Sequence, residues 1–94
     1  MNNVKLYGHF AKVMAYTNCD VEVKEEFEWY HGDGYYSATF VTVDDAWIEV
    51  RVATSSFEEF IKTVAKHAYC HIEGRLCTEV SRGTGIVRNY IAIG

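Results

Sequence analysis

The sequence predicts a mainly β fold in one domain, residues 1–94. Five strands close on themselves, one helix lies between the third and fourth strands, and an extra acidic strand or hairpin follows the first. Three observations carry this reading. Most of the chain alternates apolar and polar residues with period two, the pattern of half-buried strands. A single stretch after Thr54 switches to helical spacing. The 94 residues, 49% hydrophobic and without proline or a low-complexity run, suit one modest core and show no linker.

The elements follow in order. In "VKLYGHF", Val4, Leu6, Gly8 and Phe10 share one face and Lys5, Tyr7 and His9 the other, a strand that Gly8 allows to bend. Residues 11–18 (AKVMAYTN) either extend that strand or leave it. "DVEVKEEFEWY" places Val21, Val23, Phe27 and Trp29 opposite Glu22, Lys24, Glu26 and Glu28, a half-exposed strand or, failing that, a short helix. "HGDG" at 31–34 is a turn built on glycine. "YYSATFVTV" is aromatic and β-branched, hence a strand. Asp44 and Asp45 turn the chain into "AWIEVRVA", where Ile48, Val50 and Val52 oppose Trp47, Glu49 and Arg51.

In "SSFEEFIKTVAKH", Phe57, Phe60, Ile61, Val64 and Ala68 recur at helical spacing, and Ser55 with Glu58 forms a capping-box pattern. "AYCHIEGRL" and, after the turn "RGTG", "IVRNYIAIG" supply two more strands. This order is that of a five-stranded OB barrel whose open end is plugged by the helix. A ferredoxin-like fold needs a second helix among the first strands, and residues 11–20 make a poor one.

Charge and cysteine content narrow the function classes. Net charge is −4, so no long-range field draws this chain toward phosphates, and a nucleic-acid site has to be a local basic patch. Charge is also unevenly spread. Residues 20–28 hold five acids against one lysine, whereas residues 74–94 hold Arg75, Arg82 and Arg88 against Glu79 alone. No apolar run reaches the roughly 20 residues of a membrane helix, and residues 1–15 lack the pattern of a signal peptide. Three cysteines without close pairing fit a reducing compartment. A cytoplasmic protein with no membrane partner is expected.

With these residues in view, the chain resembles the single-stranded DNA-binding protein family of bacteria and their phages. "WIEVRVA", a helix, "HIEGRLCTE" and a closing strand carry the resemblance, with "NNVKLYGHF" like the opening strand and "SATF" like the start of the second. Together they span about two-thirds of the chain, and "IEGRL" is the most specific part. The resemblance implies an OB fold, non-enzymatic binding of single-stranded DNA, a stacking role for Trp47, and a homodimer or higher oligomer. The sequence departs from the family at several points. Ala53 stands where a further aromatic is usual, and Ser81 where another stacking tryptophan occurs. The long basic hairpin is cut to Asp44-Asp45, and residues 17–34 form an acidic insertion. The acidic tail by which bacterial members recruit partners is not expected to carry over.

Sequence-independent binding of single strands needs aromatic planes for bases and cations for phosphates, each stack contributing about 1–3 kcal/mol. Trp47 is the expected stacking residue, with Arg51 on the same strand face. Arg75, Arg82, Arg88 and Tyr90 continue the patch, and Lys5, Tyr7 and Tyr30 are further candidates. Tyr30 with Tyr35 or Tyr36 forms either a second platform or ordinary cross-strand packing. The opposing reading of the arginines is pairing with Glu49, Glu73 and Glu79, with Trp47 packed under the acidic insertion.

His67, Cys70, His71, Cys77 and Cys19 have no zinc-ligand spacing, because Cys70 and His71 are adjacent on a strand and face opposite ways. A thiol enzyme built on Cys19 or Cys77 with His71 has no supporting signature. No catalytic residues, metal or cofactor are expected. Stacking does not separate DNA from RNA, so RNA remains open. The reading from another class is a protein-interaction module, an adaptor or a phage inhibitor presenting the acidic strand 20–28 to a basic partner.

Overall fold

The computed structural model describes residues 3–17, 20–27, 29–64 and 69–94. Eight strands and one helix run in the order β1 (Asn3–Phe10), β2 (Lys12–Thr17), β3 (Asp20–Phe27), β4 (Tyr30–His31), β5 (Tyr35–Thr42), β6 (Trp47–Ala53), α1 (Thr54–Thr63), β7 (Cys70–Val80) and β8 (Val87–Ile93). Six strands form one sheet, ordered β1-β7-β8-β6-β5-β4, and β1 also pairs with β5, so the sheet closes into a ring. Every neighbouring pair is antiparallel except β6 and β8. Those two run parallel because α1 and β7 intervene, the kind of long crossover that parallel neighbours require.

Closure depends on Gly8. It pairs with Cys70 on β7 and with Thr42 on β5, and is the residue at which β1 passes from one neighbour to the other. A Cβ at this position would collide with the Val41 carbonyl oxygen. At Gly74 a Cβ would sit 2.5 Å from the Ala92 carbonyl oxygen. At Gly8, where the sequence placed a bend, and at Gly74 the reason for glycine is close backbone approach rather than an unusual φ.

Strand alternation directs Phe40, Val50, Val52, Ile72 and Ile91 inward, where they meet Phe10, Ala38, Cys70 and Phe60. The helix covers one end of this core. Phe60 packs edge-on to Phe10 with ring centroids 5.9 Å apart, while Phe57, Ile61 and Val64 pack around it. Trp29 inserts between sheet and helix, 5.0 Å from both Phe10 and Phe57. Its indole Nε1 is buried without an acceptor among the described residues. Tyr36 stacks on Phe57 at 3.8 Å and on His31 at 4.4 Å.

Several expected details differ. Of the two alternatives for residues 11–18, the described residues 12–17 leave the first strand: β2 pairs with β3 as a separate two-stranded sheet, so the insertion is a hairpin that begins at Lys12. His31 belongs to β4 rather than to the turn, which places Tyr30 opposite Ser37 and adds a sixth strand to the sheet. The helix starts one residue early, at Thr54, and the Ser55–Glu58 capping box does not form. Its N-cap is Ala53 with no side-chain hydrogen bond, and the Thr54 N–H donates instead to the Gly34 carbonyl at 3.0 Å. A loop carbonyl thus satisfies the first of the unpaired N–H groups at the helix start. The expected helix end at 65–67, Ala68, His67, Cys19 and Glu28 lie outside the described residues, as do the side chains of residues 12–27. Among the described residues no helix is long and apolar enough to cross a membrane.

Candidate nucleic-acid interface

Register decides what shares the outer face of the ring. Tyr30 lies opposite Ser37, Ser37 opposite Arg51, Glu49 beside Tyr90, Tyr90 opposite Cys77, and Arg88 opposite Glu79. These side chains surround an open cleft of about 580 Å³, lined by Tyr30, Tyr35, Glu49, Arg51, Glu79 and Arg88 among others.

Arg51 is the centre of that cleft and is fully engaged. Its Nε donates to Glu49 Oε2 at 2.8 Å and its Nη2 to Glu79 Oε2 at 2.7 Å. The guanidinium carbon lies 3.9 Å from the Tyr90 ring centre and 4.6 Å from that of Tyr35. Only 11% of the side chain is exposed. Burial works against the charge, but the hydrogen bonds to Glu79 and Glu49 outweigh it and hold the pKa above its already high ordinary value. A cation held by two carboxylates offers little to a phosphate. Its geometric effect is to fix Tyr35 and Tyr90 on either side of a flat group.

Trp47 is placed differently. It stands at the start of β6 with 71% of its surface exposed, has no ring or polar partner among the described residues, and does not line the cleft. Four residue steps separate it from Arg51, roughly 13 Å of strand, so the structure does not bring this pair together. Arg82 lies exposed in the turn between β7 and β8, where Gly83 (φ 92) and Gly85 (φ 68) take left-handed conformations. Arg75 and Arg88 are exposed on β7 and β8, and no ion pair among the described residues uses Arg75, Arg82 or Arg88. Tyr30 is 69% exposed at the cleft rim. Tyr90 is half-buried against Arg51.

Lys5 and Tyr7 sit on the outer face of β1, opposite Glu73 and His71 respectively. The Tyr7 ring lies 4.4 Å from that of His71, and Tyr69 and His9 complete a cluster of four rings. Tyr69, His71 and His9 were not among the expected nucleic-acid residues, because the sequence has no means of bringing the first and fourth ring strands into register. The signal available was the alternation of Tyr7 with His9 and of Tyr69 with His71. Cys70 faces the core, where burial pushes its thiol pKa up, while His71 faces outward. Among the described residues no three His, Cys, Asp or Glu side chains gather around a common point. Compared with protein-family models, with curated proteins and with solved structures, the chain has no match.

Proposed function

We propose that the ring is an OB-fold barrel whose outer face binds single-stranded DNA, without catalysis and with little dependence on base sequence. The observation that carries this reading is Trp47: a large, open aromatic plane on the third strand of the ring, with no protein partner among the described residues. Such a plane offers a base about 1–3 kcal/mol of stacking. Among the described residues no ion pair uses Arg75, Arg82 or Arg88, which supply the cations, and Tyr30 offers a second exposed ring. Arg51 acts here as a positioning residue for Tyr35 and Tyr90 rather than as a phosphate ligand. A homodimer would form through β1, whose residues 3–7 are paired on one side by β7 while β5 joins only from Gly8 onward.

The test is quenching of tryptophan fluorescence by a dT oligonucleotide at low and at moderate salt. Trp29, packed in the core, remains as an internal reference. Saturable quenching that weakens with salt and is lost in Trp47→Ala is expected. No quenching at low salt would sink the proposal. The same titration with an rU oligonucleotide separates DNA from RNA.

One observation favours a second reading, the protein-interaction module. β2 and β3 form a sheet of their own outside the ring, and residues 20–27 carry four acids against Lys24. If oligonucleotides fail to bind, a basic protein that associates with wild type but not with an E25K/E26K variant would support it.

A further inference from the structure

We propose that the nucleic-acid path does not end at Trp47 but crosses the ring onto a second stacking surface on β1 and β7, formed by Tyr7, His9, Tyr69 and His71. The inference rests on the single-strand reading above and extends it to residues on the other flank of the ring.

Register puts the two surfaces in line across the ring. Trp47 lies opposite Val41, and Val41 opposite His9, so the three form one row across β6, β5 and β1 on the outer face. Two inter-strand spacings separate Trp47 from His9, roughly 10 Å. Val41 between them is 5% exposed, so neighbouring groups cover the row there and a strand bridges this step rather than resting on it. From His9 the rings continue without a gap. Tyr69 meets His9 edge-on at 5.4 Å, Tyr7 lies 6.1 Å from Tyr69, and His71 lies 4.4 Å from Tyr7.

These rings are also open to solvent. Tyr7 is 43% exposed and Tyr69 56%, so neither is consumed by the core. Beyond the Tyr7–His71 pair, the next register pairs are Lys5 with Glu73 and Asn3 with Arg75. Asn3 Nδ2 donates to Glu73 Oε1 at 2.5 Å, and no ion pair among the described residues uses Lys5 or Arg75. A shallow hollow of about 380 Å³ lies between Lys5 and His71. Rings followed by two cations on the same face meet the needs of a base–phosphate track. The Arg51 cleft, by contrast, presents two carboxylates already bound to their own cation.

The full chain is titrated with dT strands of about 4 and about 16 nucleotides, the span of site sizes for one OB fold. Tyr69→Ala and His71→Ala are expected to leave the short strand's affinity unchanged. Each weakens the long strand at least about fivefold, the lower end of one base stack. Trp47→Ala weakens both lengths. In NMR spectra, the ring C–H resonances of His9 and His71 shift with the long strand and not with the short one. Long-strand affinity unchanged in both variants, histidine resonances that stay in place, or an equal loss at both lengths would each overturn the second surface while leaving Trp47 as the site. Failure of wild type to bind either strand would overturn both proposals. Both substituted residues are exposed on the surface, so a thermal melt matching wild type separates a lost contact from a lost fold.

Discussion

Arginine 51 shows how a neighbour changes a residue's role. On the strand it is a cation two positions from a glutamate; in the fold it is enclosed by Glu49, Glu79, Tyr35 and Tyr90. Arg51→Ala is expected to lower stability by about 1–2 kcal/mol, discounted because Glu79 is half exposed and screened by water. Arg51→Lys recovers only part of this, since an ammonium lacks the planar fork that meets both carboxylates and both rings. Urea melts of the two variants check this, and neither substitution is expected to change the salt dependence of oligonucleotide binding. At the end of β5, Thr42 Oγ donates to Asp44 Oδ1 at 2.6 Å. This bond, with a backbone hydrogen bond, holds the Asp44 carboxyl below its ordinary value of 3.8. A depressed folded-state pKa contributes stability that is complete above the unfolded value and is lost as pH falls through the folded one. The stability gap between wild type and Thr42→Val should therefore be constant down to about pH 4 and narrow below it, leaving the part due to the Ala46 N–H bond to Thr42 Oγ.

Elements meet at positions where a side chain does not fit or a cap is missing. β1 changes partner at Gly8, and Gly8→Ala sets a methyl group against the Val41 carbonyl. A loss of about 3 kcal/mol, the upper part of the usual range for single substitutions, is expected in denaturant melts. The β5–β6 turn holds Asp45 at φ 63, which aspartate tolerates and a β-branched residue does not. The helix begins on Ala53 with a backbone already in the extended conformation of an N-cap (φ −56, ψ 138). Ala53→Ser is expected to gain about 0.5–1 kcal/mol by supplying the missing acceptor, read as a higher melting temperature. Helix periodicity was plain in Phe57, Phe60, Ile61 and Val64, whereas the cap was not. The helix instead starts at Thr54, whose N–H donates to the Gly34 carbonyl, 20 residues away in the chain.

At the scale of the molecule, net charge of −4 and an exposed aromatic face pull in opposite directions. Binding to phosphates then depends on local cations alone and is expected to be strongly screened. Counting Arg75, Arg82 and Arg88, log K should fall with log salt at a slope of about −2, from roughly 0.7 per phosphate on a single strand. A slope near −3 would bring in a fourth cation, for which Lys5 on the second surface is placed and Arg51 is not. The titration series at four or more salt concentrations decides between them.

By itself the sequence determined the mainly β character, the inward faces of β1 and β6, the helix and its place between the third and fourth ring strands, and the turns at Asp44-Asp45 and Gly83–Gly85. These follow from period and turn chemistry, which act over a few neighbouring residues. That Trp29 and Tyr30 face opposite ways was legible from their adjacency, but which of the two is core was not. Only the tertiary structure decided that the acidic segment forms a hairpin with residues 12–17, that Arg51 is neutralised by Glu79 from 28 residues away, and that Trp47, His9, Tyr69 and His71 lie along one outer face. Each of those depends on strand register across the ring. Register is set by the packing of the whole core and by the close approaches at Gly8 and Gly74, and no local pattern contains it.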